Sequence, residues 1–359
     1  MSDEICVGNN FSTFEKQDKI LVGLSGGVDS SVCIQILKEQ GFDVTALCIR
    51  FSPAHDKAVA AATEVASQLG VPLVVEDVTQ AFDKEVITPF CESYCAGRTP
   101  SPCVMCNPLV KFKTLCTVAD RMGIAYVASG HYATVEEENG KYYIKMAQSK
   151  ARDQSYMLYR LPQYILQRLC LPVGAFEKPE IREMAGAMHL ASAEAPDSQE
   201  ICFIPDGDYA AYIAARGMQG KQGKFIGPKG EDLGAHKGVI HYTVGQRKGL
   251  QIAYGEPVFV KRICESGDIE LALGGDEFYS GITLANVTTA DGTPFTENGA
   301  YTVKIRSRAV PAPCHVSNVS GTTLTITFDE PLRAPAPGQS AVLYNGELVL
   351  GGGEIVSMF

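Results

Sequence analysis

The chain has 359 residues, a formal net charge of −10 and 45% hydrophobic residues. This length predicts two or three domains, and a mean hydropathy near zero is typical of a globular protein. No apolar run reaches the roughly 18 residues that a membrane span needs, and the first 19 residues lack the apolar centre of a secretory signal. We therefore expect a cytoplasmic protein with no membrane partner, with a short, loosely ordered extension at its start, and with most of its 12 cysteines reduced.

The first half of the chain alternates predicted strands and helices. Ile20 to Leu24 is a short apolar run typical of a buried strand, and the residues after it, Val32 to Gln40, have helical spacing. Further strands are predicted at 44–51, 71–75 and 124–128, and further helices at 55–69 and 107–122. This alternation predicts an α/β domain with a doubly wound parallel sheet, whose ligand site lies where strands end and helices begin.

The pattern changes after about residue 206. Glycines become frequent and short alternating strands appear at 302–305, 323–328, 340–344 and 347–350, with Asn345-Gly346 as a hairpin turn. We expect three domains: an α/β domain at 1–206, a small basic module at 207–279 and a β-barrel at 280–359. Between Arg216 and Arg262 nine Lys and Arg residues face three Asp and Glu residues, a local balance of +6. A solvated surface would explain this balance as readily as a nucleic-acid site.

The strongest local signal is the segment Ser25-Gly-Gly-Val-Asp-Ser-Ser31 between a predicted strand and a predicted helix. Its glycines allow the backbone N–H groups to approach an anion, and the helix N-terminus adds partial positive charge. Ser25, Ser30 and Ser31 can donate hydroxyl hydrogen bonds to phosphate oxygens, while Asp29 would orient the loop or hold Mg²⁺. No lysine follows the second glycine, so the loop differs from that of common ATPases. It resembles instead the loop of the N-type ATP pyrophosphatases, which cleave ATP between the α and β phosphates.

Two further segments carry cysteines. The first runs from Gly97 to Phe112 and contains Cys103 and Cys106; the second, Asp197 to Pro205, contains Cys202. Cys106 stands at the start of the predicted helix 107–122, where a helix dipole would stabilise a thiolate. Taken singly, each cysteine is more often a small buried apolar residue than a catalyst.

Taken in order, the motifs resemble those of the bacterial tRNA-specific 2-thiouridylases, a family of the N-type ATP pyrophosphatase superfamily. The resemblance spans about residues 19–356 and rests on SGGVDSS, GRTPSPCVMCN, SGHY, RDQSY, DSQEICFIP, YTVGQRKG and PGQSA. It implies that Cys202 carries a persulfide and that Cys106 is the nucleophile. It also implies two sets of contact residues. The ATP-binding set is Gly23, Leu24, Ser25, Gly26, Gly27, Val28, Asp29, Ser30, Ile49 and Gly130. The target-base and tRNA set is Ser101, Pro102, Cys103, His131, Arg152, Asp153, Gln154, Arg306, Ser307 and Gln339.

One position departs from the family pattern. The family usually has Asn-Pro-Asp where this chain has Ser101-Pro102-Cys103, so a candidate acid/base Asp is replaced by a thiol. The change creates a Cys103-x-x-Cys106 spacing that is typical of metal ligation or redox pairs. Together with Cys202, these thiols could bind three irons of a [4Fe–4S] cluster. We favour a mechanism without a cluster, because a fourth cysteine ligand is not obvious.

The resemblance implies ATP-dependent 2-thiolation of the wobble uridine, position 34, in tRNAs of the Lys, Glu and Gln type. The uridine would be adenylated at its C2 oxygen, with ATP and Mg²⁺, and a persulfide would then deliver sulfur. That persulfide would come from a cysteine desulfurase or a relay protein. Two alternatives stay open: another nucleotide-activating ligase or amidotransferase, which would need no paired thiols, and a paralogue that binds tRNA without modifying it.

Overall fold

The computed structural model describes residues 18–190 and 201–359. The predicted N-terminal extension and the Asp197-Ser-Gln-Glu part of the second cysteine motif lie outside these ranges. Within them, none of the helices has both the length and the apolar character needed to cross a membrane.

A five-stranded parallel sheet forms the centre of the first unit. From one edge to the other its strands are Leu73–Asp77, Asp43–Arg50, Lys19–Gly23, Tyr126–Ser129 and Leu169–Cys170. In chain order the sheet starts at the central strand Lys19–Gly23, adds two strands on one side of it, and then adds Tyr126–Ser129 and Leu169–Cys170 on the other side. The strand order therefore reverses between Lys19–Gly23 and Tyr126–Ser129, which is where α/β sheets bind ligands.

Both faces of this sheet are covered, as the α/β prediction requires. Ile20 and Val22 pack into one apolar core while Leu21, between them, packs into the other, because successive side chains of a strand point to opposite faces. Cys33 and Cys48 are buried in the first core. The α-helices of the first unit are Val28–Glu39, Asp56–Leu69, Thr79–Phe82, Thr88–Cys95, Pro102–Cys106, Phe112–Arg121, Gln163–Leu166 and Lys178–Ala187.

The helix that carries Cys106 begins earlier than predicted. Pro102–Cys106 is α-helical, Asn107–Lys111 is a π-helical segment, and Phe112–Arg121 continues as α-helix. Pro102 occupies the first helical turn, where its missing N–H leaves no hydrogen bond unmade. The expectation that Cys106 lies at the helix start is therefore wrong: Cys106 ends the first segment, and Cys103 is the cysteine near the N-terminus.

A closed antiparallel barrel forms the C-terminal unit, as predicted, because the strands Phe278–Thr289 and Leu348–Met358 pair with each other. Its other strands are Ala300–Lys304, Ala312–Ser320, Thr323–Arg333 and Ser340–Asn345. A hairpin of the first unit, Ala133–Glu138 and Lys141–Met146, extends this sheet through a pairing of Leu348 with Lys145. The sequence analysis did not predict this hairpin.

The middle module holds a small sheet of four strands, Lys224–Ile226, Asp232–Ala235, Val258–Ile263 and Ile269–Leu273. Before it, the helix Tyr209–Ala215 contributes Ile213 to an apolar cluster that also contains Phe82, Phe90 and Phe203 of the first unit. Part of the basic character is neutralised locally. Ion pairs join Arg216 to Asp83, Lys224 to Asp232 and Arg262 to Glu270.

Candidate functional site

The phosphate-binding loop closes on itself through its serines. Ser30 and Ser31 both donate their hydroxyls to the Gly27 carbonyl, at 3.0 and 2.9 Å. Ser31 is fully buried, so its hydroxyl serves the loop itself, contrary to the expectation that it contacts phosphate. Ser25 is exposed and accepts a hydrogen bond from the Gly27 N–H at 3.4 Å. Gly26 has a φ of +79°, and a Cβ there would lie 2.8 Å from that of Ala61; only glycine fits this turn without strain.

Asp29 is held by two partners from distant parts of the chain. Lys178 Nζ lies 2.7 Å from Asp29 Oδ1, and the Tyr132 hydroxyl donates to the same oxygen at 2.8 Å. Lys178 is buried and lies over the Tyr132 ring at 5.7 Å. The carboxylate is therefore oriented by the fold, and its charge is balanced by a buried ammonium group.

A cavity of about 400 Å³ opens above this loop. Nine of the ten residues predicted to bind ATP line it, and Gly26 lies within the same loop. Gly130 packs directly on the loop, because a Cβ there would lie 2.7 Å from the backbone of Asp29 and Ser30. The structure thus brings the end of the strand Lys19–Gly23 and the end of Tyr126–Ser129 together around one space.

A second cavity, of about 540 Å³, contains the thiols. Cys103, Cys106 and Cys202 all line it, together with Pro102. Cys103 and Cys202 are exposed within it, and Cys106 is half-buried. The two cavities adjoin, since both are lined by Ser25, Gly27, Phe51, His55, Ala58, Lys111 and His131.

The surroundings favour protonated thiols in the absence of ligands. Burial raises the pKa of Cys106, and the neighbouring Cys103 and Cys202 raise it further. Burial also raises the pKa of Cys103 and raises that of Cys202 to about 12. Although Cys103 and Cys202 expose surface to the cavity, its walls replace much of the bulk water, and an anion is therefore costly there.

His131 and Lys111 stand between the two cavities. The His131 ring is buried, with Nδ1 2.7 Å from the Ser129 hydroxyl and Nε2 3.4 Å from Lys111 Nζ. Burial, and then the charge of Lys111, lower the pKa of His131 well below its ordinary value. This histidine is therefore neutral at physiological pH.

The two cavities differ in how well their residues fit a metal group. Asp29 is the carboxylate among the described residues that line the first cavity, which fits Mg²⁺ bound by one carboxylate and substrate phosphates. An iron–sulfur cluster fits less well. Across residues 18–190 and 201–359, no three His, Cys, Asp or Glu side chains are grouped so that they could hold a metal ion.

Three residues expected to contact RNA lie beside the first cavity. His131, Arg152 and Gln154 line it, and Gln154 Oε1 accepts a hydrogen bond from the Tyr132 N–H at 2.9 Å. Asp153, between them in sequence, points elsewhere. Its side chain is 2% exposed and lies 3.2 Å from Lys304 Nζ of the barrel.

Two further members of this group, Arg306 and Gln339, hold the units together. Arg306 donates to the carbonyls of Ala334 and Val244, at 2.8 and 3.3 Å. Gln339 donates to the Thr99 carbonyl at 2.9 Å and accepts from the Ser101 hydroxyl at 3.2 Å. Gln339 therefore anchors the segment that leads into the cysteine helix. Ser307 is half-buried in the turn after Ala300–Lys304.

The sequence analysis missed Lys111, Lys178, Tyr132 and His55, which all line the first cavity. Tyr132 and Lys111 stand within the quoted SGHY motif and cysteine segment, next to residues that were selected. Lys178 lies 149 positions after its partner Asp29, and nothing local to either residue indicates the contact.

Comparison with known proteins agrees with this arrangement. Residues 18–206 match the family model described as tRNA methyl transferase HUP domain, residues 212–268 its PRC-barrel domain, and residues 280–355 the aminomethyltransferase beta-barrel domain. The tRNA-specific 2-thiouridylase MnmA of Lachnoclostridium phytofermentans is 40% identical over 94% of this chain and 99% of its own length. That of Clostridioides difficile is 39% identical over 94% and 98%. The chain therefore belongs to the tRNA-specific 2-thiouridylase family of enzymes.

Proposed function

We propose that this enzyme uses ATP to convert the wobble uridine of a tRNA into 2-thiouridine, with AMP and pyrophosphate as the other products. One observation carries the proposal: the cavity above the phosphate-binding loop adjoins the thiol cavity and shares lining residues with it. A base activated in the first space could then meet a sulfur donor in the second without leaving the protein.

In the first step the uridine C2 oxygen attacks the α-phosphorus of ATP, and pyrophosphate leaves. The loop N–H groups and the N-terminus of Val28–Glu39 would bind the phosphates. Asp29 would hold Mg²⁺, which supplies positive charge to the pyrophosphate group. Adenylation is needed because the C2 oxygen is otherwise a poor leaving group.

In the second step a persulfide on Cys202 delivers its terminal sulfur. That sulfur attacks C2, AMP leaves, and the base is joined to Cys202 through an S–S bond. The Cys106 thiolate then attacks Cys202 Sγ, which breaks this bond, releases 2-thiouridine and forms a Cys106–Cys202 disulfide. A dithiol reductant returns both cysteines to thiols. No iron–sulfur cluster takes part in this proposal.

The tRNA would lie against the middle module and the barrel. Three exposed lysines of the module, Lys237, Lys248 and Lys261, form no ion pair with any described residue, which leaves their charge for phosphate oxygens. A wobble base is single-stranded, so it can be turned into a pocket at modest cost. The persulfide donor would be a cysteine desulfurase or a relay protein.

The test is mass spectrometry of nucleosides from tRNA incubated with the protein, ATP, Mg²⁺, a cysteine desulfurase with L-cysteine as persulfide donor and a dithiol reductant, alongside analysis of the products of labelled ATP. We expect 2-thiouridine with equal amounts of AMP and pyrophosphate. ADP and phosphate as the main products would refute the adenylation step. tRNA that binds but stays unmodified would indicate a binding paralogue instead.

A further inference from the structure

Lys111 carries a positive charge into the wall between the two cavities. It ends the π-helical segment Asn107–Lys111 and lines both cavities. Such segments are frequent at functional sites. Here the segment starts directly after Cys106, so that Lys111 follows this cysteine by five residues. Lys111 therefore lies in the wall of the cavity that contains Cys103, Cys106 and Cys202.

Among the described residues that line the two cavities, Asp29 is the carboxylate, and it is already paired with Lys178 rather than with Lys111. The neighbour of its Nζ is the neutral ring of His131, and the ionisable groups that act on its pKa are the thiols of Cys106, Cys103 and Cys202. Burial lowers the pKa of Lys111, and thiolates at those three positions would raise it again. Lys111 is half-buried, and an ammonium group removed from water gains from a nearby anion, so Lys111 reduces the cost of forming a thiolate in this cavity.

Lys178, the buried lysine of the site, is differently placed. Lys178 pairs with Asp29 at 2.7 Å, so its charge is already balanced inside the phosphate-binding loop. The charge of Lys111, which lines the thiol cavity, can therefore stabilise an anionic sulfur there, whereas Lys178 does not line that cavity. In sulfur transfer the attacking and the departing sulfur are both anions, and each needs a compensating charge in this partly dehydrated space.

We propose that Lys111 is the positioning residue of the thiol site: its ammonium group stabilises the thiolate of Cys106, and through it the sulfur-transfer step. The role in sulfur transfer rests on the proposed function. The interaction between the Lys111 ammonium group and the Cys106 thiolate is a property of the free protein and can be measured without tRNA. The titratable and charged groups that face Lys111, or lie across the shared wall from it, are His131, His55, Cys103, Cys106, Cys202, Asp29, Lys178 and Arg152.

The experiment measures the alkylation rate of Cys106 by iodoacetamide in the reduced full chain, without ATP or tRNA, from pH 6 to 10. Peptide mass spectrometry separates Cys106 from the other cysteines. The variants are Lys111→Met, which removes the charge, Lys111→Arg, which keeps it, and Lys113→Met, which removes an exposed charge from the same helix. Thermal unfolding is recorded for each.

We expect Lys111→Met to slow alkylation of Cys106 at pH 8 about tenfold, the equivalent of a pKa rise of about one unit. Lys111→Arg should stay within about threefold of the parent, since its charge is retained. Identical rate–pH profiles for Lys111→Met and Lys113→Met would overturn the proposal. If Lys111→Met does not fold, Lys111→Gln takes its place with the same two outcomes. Because the assay contains no tRNA, its result is independent of whether the chain thiolates uridine.

Discussion

At the scale of single residues, the thiols decide which chemistry the second cavity can perform. Cys106 and Cys202 stand in one cavity although 96 positions separate them in the chain. Cys103 joins them where the family pattern has an aspartate. The three side chains share one environment, in which burial raises every thiol pKa, so their roles differ through position rather than through intrinsic acidity.

Cys106→Ser and Cys202→Ser should each abolish 2-thiouridine formation, because a hydroxyl can neither carry a persulfide nor form the disulfide. Affinity for tRNA should change less than about twofold, since no phosphate contact is removed. Nucleoside mass spectrometry and a filter-binding assay measure the two effects. Cys264→Ser, at a half-buried cysteine of the middle module, is the control and should keep full activity.

Cys103→Asp restores the residue that the family usually has. We expect this variant to keep thiolation under air, because the proposed pair needs only Cys106 and Cys202. Activity is measured beside iron and sulfide content after anaerobic purification. Metal-free parent protein that regains activity only with added iron and sulfide, and a Cys103→Ala variant that loses both, would instead require a cluster.

The ion pair between Asp29 and Lys178 predicts that removal of the carboxylate lowers both the stability of the protein and its affinity for ATP. Asp29→Asn leaves the buried Lys178 ammonium group without its carboxylate, so we expect a loss of about 1–3 kcal/mol of stability together with weaker ATP binding. Chemical denaturation and nucleotide titration measure these. Asp56→Asn breaks an ion pair with Arg50 in which the carboxylate is 63% exposed, and should cost below about 1 kcal/mol.

At the scale of elements, the loops that follow two neighbouring strands form the nucleotide site together. The loop after Lys19–Gly23 and the turn after Tyr126–Ser129 touch because their strands are parallel neighbours in the sheet. Gly130, in the turn after Tyr126–Ser129, packs directly against the backbone of the phosphate-binding loop and supports it from below. The site is thus a property of adjacent strand ends rather than of the glycine-serine motif alone.

Gly130→Ala should therefore displace the phosphate-binding loop. A methyl group 2.7 Å from the Asp29 backbone cannot be accommodated without movement, and we expect ATP affinity to fall at least about tenfold with a stability cost of about 1–3 kcal/mol. Gly186→Ala is the matched control. It lies in the helix Lys178–Ala187 with nothing within 4 Å of the added carbon, and should be neutral or stabilise by about 0.5–1 kcal/mol. Equal ATP affinity in both variants would contradict the interpretation.

At the scale of the whole molecule, the barrel is fastened to the nucleotide-binding unit beside both cavities. Lys304 reaches Asp153, whose neighbours Arg152 and Gln154 line the first cavity. Gln339 holds the segment before Cys103. Asp153 and Gln339, which were expected to contact RNA, therefore also connect the barrel to the segments that line the two cavities.

Lys304→Met should destabilise the protein by about 3–5 kcal/mol, because it leaves the Asp153 carboxylate buried without its partner. Lys150→Met is the control. Lys150 pairs with Glu347 and joins the same two units, but both side chains are about half exposed, so its loss should cost below about 1 kcal/mol. Denaturant unfolding of both variants measures the difference; equal losses would show that the buried pair does not hold the barrel.

Binding of tRNA should depend on a few lysines despite the overall charge of −10. We expect the combined change of Lys237, Lys248 and Lys261 to Gln to weaken tRNA binding and to reduce its salt dependence, since each lost phosphate contact lowers the logarithmic slope by about one. Lys224→Gln removes a lysine already paired with Asp232 and should have little effect. An unchanged slope in the triple variant would place the RNA elsewhere.

Local patterns in the sequence determined the elements and the chemistry of the first site. Strand, glycine-serine loop and helix follow one another within about twenty residues, and the physics of a phosphate-binding loop is contained in such a short segment. The same holds for the hairpin between the strands predicted at 340–344 and 347–350, which depends on turn residues and on hydrophobic periodicity, although its two-residue turn lies one position later than predicted, at Gly346-Glu347.

Only the tertiary structure decided how these parts meet. The Lys178–Asp29 pair, the extension of the barrel sheet by the hairpin 133–146, and the internal roles of Asp153, Arg306 and Gln339 all join residues that are far apart in the chain. The early start of the Cys106 helix was missed for a different reason, because a proline at a helix start also reads as a loop residue. A charged or polar side chain has the same local signature whether it faces solvent, a ligand or a buried partner, and the packing of the whole chain selects among these.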